Sequence, residues 1–180
     1  MVASAAAVVA FWQKAGPDRW FTKDPAFDDE IRERFLATYE AAAAGQLSGW
    51  EQSAEGTLAL LILLDQFPRN MFRGEARAFA TDPLARAITA GAIVRGFDSQ
   101  VPKEMRNFFY LPFEHSEDLA DQERGIAFNK ASGDEENLKW AEIHADIIRR
   151  FGRFPHRNAV LGRTTTPDEQ AFLDSGGFAG

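Results

Sequence analysis

"AEGTLALLILLDQFPRN", residues 54–70, decides the fold. Residues 58–64 are apolar without a break, so a helix through them has no polar face to show to water. Such a helix is stable only when other helices surround it. The spacing therefore predicts a central helix from about residue 54 to residue 67, ended by Pro68, inside an all-α fold.

The flanking sequence supplies the surrounding helices. Asp24 then Pro25 reads as a cap followed by a first helical position, with Phe27, Ile31, Phe35 and Tyr39 at four-residue spacing and Gly45 as the stop. Asp82 then Pro83 repeats the start signal, with Leu84, Ala87, Ile88 and Gly91 as its stripe and Gly96 as its end. Further helices are expected over residues 4–15 and 134–151, the latter with Leu138, Ala141, Ala145 and Ile148 on its apolar face. Thr166, Pro167, Asp168 and Glu169 form a capping box that opens a short helix to about Leu173. Valine and isoleucine are sparse and no alternating run is bounded by a hairpin turn, so no strand is expected.

The 180 residues, 45% hydrophobic, suit a single all-helical domain over residues 1–175, with room for a split core and a frayed tail at 176–180. A net charge of −7 argues against nucleic-acid or anionic-membrane partners. The apolar run at 58–64 is far shorter than the roughly 20 residues of a bilayer span. No cation precedes the first apolar stretch, which is read as a helix rather than a leader. With no cysteine there is neither a disulfide nor a thiolate site, and a cytoplasmic setting follows as the expectation. The oligomeric state is not encoded in any of these features.

Phosphate-cradling loops, dinucleotide fingerprints, serine elbows and zinc helices of the His-Glu-x-x-His type are all missing, so no cofactor and no metal set is expected. Polar chemistry instead concentrates in three stretches. "EHSEDLADQE", residues 114–123, carries five acids and no lysine or arginine, whereas "RRFGRFPHRNAVLGR", residues 149–163, carries five arginines and no acid. Either the two pair, or some of the arginines converge on a bound anion, or the basic face is simply solvated. On a continuous helical wheel of about 100° per residue from Leu111, His115 falls with Leu119, Gln122 and Ile126 on an inward arc. Glu114 and Glu117 fall toward the opposite edge. His144 reads as a core position. In the third stretch, "LLDQFPRNMFRG" at residues 63–74, Asp65 lies near a helix end, where both dipole and burial oppose its charge, so Arg69, Arg73 or Arg157 is expected to compensate it.

These readings gather into one candidate binding site of Asp65, Arg69, Asn70, Glu114, His115, Asp118, Arg153, His156 and Arg157. Its ligand would be a small anionic molecule or a peptide segment. Two other roles use the same chain: a metal-assisted hydrolase, with His115 and Asp118 as ligands and Glu114 as base, or a partner protein with an apolar patch at Trp12, Trp20 or Trp50.

Four blocks, "FWQKAGPDRWFTKDPAFDDEIRERF", "LLDQFPRNMFRGEARAFATDP", "FFYLPFEHSEDLADQERGIA" and "FGRFPHRNAVLGRTTTPDEQAFL", resemble the bacterial domain-of-unknown-function family numbered 924, over about residues 9 to 173. The resemblance implies a helical, tetratricopeptide-like fold of antiparallel hairpins and implies no reaction. The chain itself shows no 34-residue period of tetratricopeptide type.

Overall fold

The computed structural model describes residues 1–178, which contain helices and turns and no strand. Of the tail expected at 176–180, residues 179 and 180 lie outside the described residues. Packing groups the chain into two units, residues 1–73 with 77–112, and residues 74–76 with 113–180.

The first unit is built on α1 (Ala5–Ala15), α2 (Pro17–Trp20), α3 (Pro25–Ala43), α4 (Ala54–Leu61), α5 (Phe67–Met71) and α6 (Asp82–Val94). Start signals act as their chemistry dictates: Ser4 accepts from the Ala7 amide, and Asp24 from the amides of Ala26 and Phe27. Phe27, Ile31, Phe35 and Tyr39 are all buried on α3, as their spacing predicts. So is every residue from 58 to 68, the surrounded helix read from the sequence. Rings fill the interior around it. Phe11 and Phe35 lie 4.9 Å apart, Phe35 and Phe67 5.0 Å, and Trp12 meets Phe67 at 5.5 Å. Each such ring contributes about 1.5–3 kcal/mol on burial. The buried Trp20 indole also donates to the Trp12 carbonyl at 2.7 Å. Gly56 admits the turn at residues 48–52, because a Cβ there would collide with the backbone carbonyl of Trp50.

Three expectations change here. Pro68 does not end the central helix: residues Ile62–Gln66 form a π turn, with the Phe67 amide bonded to the Ile62 carbonyl, and α5 carries the helix on to Met71. Proline has no N–H for the carbonyl four residues back, and the wider turn makes room for its ring. Asp82 does not cap α6. Thr81 holds the cap position, Asp82 is the first helical residue, and its carboxylate is bonded to Arg69 instead. The buried stripe of α6 is Ala85, Ile88, Thr89 and Ala92, so only Ile88 of the expected set faces inward. Trp12 is wholly buried and Trp20 nearly so, which removes them from any exposed apolar patch, while Trp50 is half-buried.

The second unit contains α8 (Leu119–Ser132), α9 (Glu135–Phe151) and α10 (Pro167–Asp174). The short α7 (Leu111–Glu114) spans the point where the two sets of residues adjoin in sequence. Gly133 in the left-handed region and the Asp134 cap join α8 to α9, a connection short enough to make them a hairpin. Ala141, His144, Ala145, Ile147 and Ile148 line the buried face of α9. Thr166 and Glu169 form the expected capping box on α10.

The wheel through residues 111–126 does not hold. The helix stops at Glu114, and α8 begins afresh at Leu119 with Asp118 as its cap. Glu114 is consequently buried, His115 half-buried and Leu119 exposed, the reverse of the expected pattern for the two flanking residues.

Candidate functional site

Asp65, Arg69 and Asn70 belong to the first unit, and the six other candidate residues belong to the second. Each set has its own geometry.

In the first unit the π turn carries Asp65 into the interior, 1% exposed. Gln66 Nε2 donates to its carboxylate at 2.6 Å, and Arg69 Nη1 stands 3.3 Å from Oδ1. Arg69 also grips Asp82 with both terminal nitrogens, at 2.9 and 3.0 Å. Burial opposes the Arg69 charge, but the fields of Asp65 and Asp82 and the Asp82 hydrogen bonds outweigh it, and its pKa is raised. The compensation expected for Asp65 thus comes from Arg69. Arg73 serves another acid: it forks onto Asp28 at 2.8 and 3.0 Å, and Asn70 Nδ2 donates to the same carboxylate at 2.7 Å. The Asp28 hydrogen bond leads the influences that raise the Arg73 pKa. These contacts fix helices to one another.

In the second unit the acidic and basic stretches do meet. Arg163 forks onto Glu117 at 2.7 and 3.0 Å, and the Phe154 amide donates to Glu117 at 2.8 Å. Burial pushes the Glu117 carboxyl up, yet the Arg163 and Phe154 hydrogen bonds, with the charges of Arg163 and Arg157, hold it below its ordinary value. Arg153 takes its hydrogen-bond partner outside that acidic stretch. It forks onto Glu169 at 2.6 and 2.9 Å, tying the end of α9 to the start of α10. That hydrogen bond, helped by the Thr166 amide and opposed by burial, brings Glu169 down to about 2.

Glu114 accepts from Asn129 Nδ2 at 2.7 Å, and Gln122 Nε2 donates to the backbone carbonyls of Glu114 and Ser116. Gly125 lets α8 come close, since a Cβ there would lie 3.3 Å from Glu114 Cγ. Asp118 accepts from the Ala120 amide and is exposed. Among the described residues no group of three or more His, Asp or Glu side chains is arranged to hold a metal ion.

All three histidines converge in this unit. His144, buried as expected, lies with Nδ1 2.8 Å from the Trp140 carbonyl; a carbonyl only accepts, so the proton sits on Nδ1. His115 meets His144 edge-on at 6.2 Å. His144 and His156 rest against Phe154 at 5.7 and 5.6 Å, and the Arg157 guanidinium lies 4.6 Å from the same ring. Phe154 itself is wholly buried and Arg157 is 6% exposed. A turn at Pro155–Arg157 directly after Phe154 places these side chains together. The similar-looking "FPRN" of residues 67–70 makes no such turn, because Phe67 and Pro68 lie within a continuing helix.

Sequence reasoning missed Phe154 as the hub, and it missed Arg163, Glu117 and Glu169 as the principal ion-pair partners. The opposed charge blocks contained the Glu117–Arg163 pair. Nothing in the spacing distinguished Arg163 from its four neighbours, and Glu169 was legible only as a capping residue.

The comparisons agree with this architecture. A solved structure described as a protein of unknown function, ATU0120 from Agrobacterium tumefaciens, is 54% identical; the match covers 95% of this chain and 97% of that one, with a TM-score of 0.92. No curated protein matches. Residues 8–177 match the family described as bacterial protein of unknown function, DUF924, and the chain belongs to that family.

Proposed function

We propose that the second unit is a binding module for a small anion, a carboxylate or phosphate carried by a metabolite or a peptide, received by Arg157 with His115, His144 and His156. The observation that carries this reading is the gathering of His144, His156 and the buried Arg157 around the single ring of Phe154, with His115 edge-on to His144. A guanidinium presents a planar fork of donors that matches carboxylate and phosphate oxygens, and neighbouring imidazoles add donors whose charge follows pH. Burial strengthens such contacts, because little water competes for them.

Arg153 and Asp118 stand outside this set as supports: one is bound to Glu169 and the other caps α8. Asp65, Arg69 and Asn70 act in the first unit as helix ties. The α8–α9 hairpin supports reading the wider fold as a tetratricopeptide-like array of antiparallel hairpins.

Isothermal titration against inorganic phosphate and a panel of carboxylate and phosphate metabolites tests the role. Arg157→Ala is expected to weaken each ligand found by at least about tenfold. Arg157→Lys, which keeps charge but loses the fork, should fall between. Circular dichroism confirms that both variants are folded. Equal affinity in wild type and Arg157→Ala for every ligand found would overturn the assignment.

A further inference from the structure

One side of α9 mixes aliphatic and acidic residues. Positions 139, 142, 143, 146 and 147 recur at three- and four-residue intervals, so they share a face of the helix. That face lines a groove of about 380 Å³, to which Ile143 and Ile147 give an aliphatic surface. Two rings complete the lining, Phe172 from α10 and Phe178 from the turn after it.

Both rings are held in place by the fold. After α10 the backbone reverses, with the Ser175 amide bonded to the Ala171 carbonyl, Gly176 to Leu173 and Gly177 to Phe172. At Gly177 a Cβ would come within 2.6 Å of the Phe172 ring and of its carbonyl oxygen, so the turn closes only without a side chain. The reversal sets Phe178 edge-on to His144 at 4.5 Å and to His156 at 5.4 Å, while Phe172 rests 5.2 Å from Phe151. The groove is therefore preformed, and its volume is on the scale of a small-molecule site.

The charges along it set the sign of the ligand. Two acids, Glu142 and Asp146, line the groove against the single cation Lys139. Arg150 reaches Asp146 only at 3.9 Å, and both side chains are more than half exposed, so this pair contributes little. The same guanidinium lies 5.1 Å over the Phe172 ring, which shows that a cation is accommodated on this aromatic face. Glu142, one turn earlier, is exposed and has no hydrogen-bond or ion-pair partner among the described residues. Lys139 is also exposed and unpaired, and its field opposes a cation at Glu142 without cancelling two acids.

We infer that this groove binds a small organic ammonium with an apolar body, an arylalkylamine or alkylamine. Its charge sits at Glu142, and its body lies against Ile143, Ile147 and the two phenyl rings. Length decides for a small molecule over a partner helix, because residues 139–147 span only about 12 Å of α9, short of the three to four turns of an ordinary helix. The site is of opposite sign to the anion site proposed above and does not depend on it.

Isotope-labelled wild type, Glu142→Gln and Lys139→Gln are titrated near neutral pH with 2-phenylethylamine, and backbone amide shifts both locate and quantify binding. Ethylamine lacks the ring, 2-phenylethanol lacks the charge and 3-phenylpropionate reverses it. The amine is expected to shift the amides of residues 142–147 and 172–178 saturably, and to bind at least about fivefold more tightly than each of the other three. Glu142→Gln should weaken the amine about threefold and leave 2-phenylethanol unchanged, whereas Lys139→Gln should tighten the amine about threefold. Both substitutions are at exposed positions, and thermal melts confirm that the variants are folded.

The opposite response to the two substitutions is the signature of a cation site. Absence of saturable shifts at those amides, in wild type and in Lys139→Gln alike, overturns the inference. So does 3-phenylpropionate binding as tightly as the amine, or an amine affinity that Glu142→Gln leaves unchanged.

Discussion

Thr81 Oγ1 donates to the Leu64 carbonyl at 2.6 Å, and that carbonyl lies four residues before Pro68. In an ordinary helix it would receive the amide of residue 68, which proline does not have. A hydroxyl from the start of α6 thus completes the π turn that carries Asp65. Thr81→Val is expected to cost about 1–3 kcal/mol, the range for a buried acceptor left unsatisfied, and Thr81→Ser to recover most of it. In the Pro68→Ala background the new amide can serve Leu64, so the Thr81→Val loss should shrink by about 1 kcal/mol in a double-mutant cycle. Strict additivity in urea denaturation would show that the two groups do not share this carbonyl.

Arg69 stands between Asp65 and Asp82, both nearly inaccessible to water. Removing it as Arg69→Met leaves two acids without their common cation. A loss of about 3 kcal/mol is expected, at the low end for breaking a buried pair because the Arg69 side chain is itself 21% exposed. Arg69→Lys should recover less than half, since one ammonium cannot reproduce the fork on Asp82. The shift in urea midpoint at constant slope measures both. A midpoint within error of wild type in Arg69→Met would contradict the arrangement.

Glu169 sets an acid limit on the α9–α10 connection. Its folded value of about 2 lies below its ordinary 4.5, so its contribution is complete above 4.5 and is lost as pH falls toward 2. The stability of the wild type should therefore decline through that window more steeply than that of Glu169→Gln. The two curves should converge near the acid end. Denaturation midpoints collected from neutral pH to about pH 3 decide the matter, and parallel curves would remove Glu169 as the titrating group.

Two glycines within helices give a contrasting pair. At Gly125 a Cβ meets the flexible Cγ of Glu114 at 3.3 Å, and about 1 kcal/mol of helix propensity offsets part of the crowding. Gly125→Ala should cost about 1 kcal/mol net. At Gly56 the obstacle is the Trp50 backbone carbonyl, which cannot rotate out of the way. Gly56→Ala should cost roughly 3 kcal/mol, the upper range for overpacking. Thermal melts that reversed this order would mean that the backbone at residues 48–52 yields more easily than its packing suggests.

The helices were legible where the signal was local. Asp24 and Pro25, the capping box at Thr166 and Glu169, and the four-residue spacing on α3 each act within one or two turns, and the chain behaves as they direct. Pro68 misled because the rule that proline stops a helix assumes that its orphaned carbonyl has no other donor. Thr81, thirteen residues later, supplies one. Asp82 misled likewise: its position favours capping, but Arg69 offers it a bidentate partner.

The candidate site was legible in kind and not in detail. Opposed charge blocks offered pairing as one of three outcomes, and Glu117 with Arg163 does pair. The wheel from Leu111 failed because Asp118 has the alternative of capping a new helix, and that break turns Glu114 inward and leaves His115 half-buried. No periodicity in the sequence reports that Phe154 would gather His144, His156 and Arg157.

By itself the sequence determined that this protein is helical, that residues 58–64 would be enclosed and where most helices begin, because caps, propensities and periodic apolar faces act over a few residues. Tertiary structure alone decided which arginine meets which acid, how a proline is carried inside a helix and where the histidines meet. Those outcomes depend on donors and rings brought together from distant positions, and a side chain with several acceptable partners settles on one only when folding has set the distances.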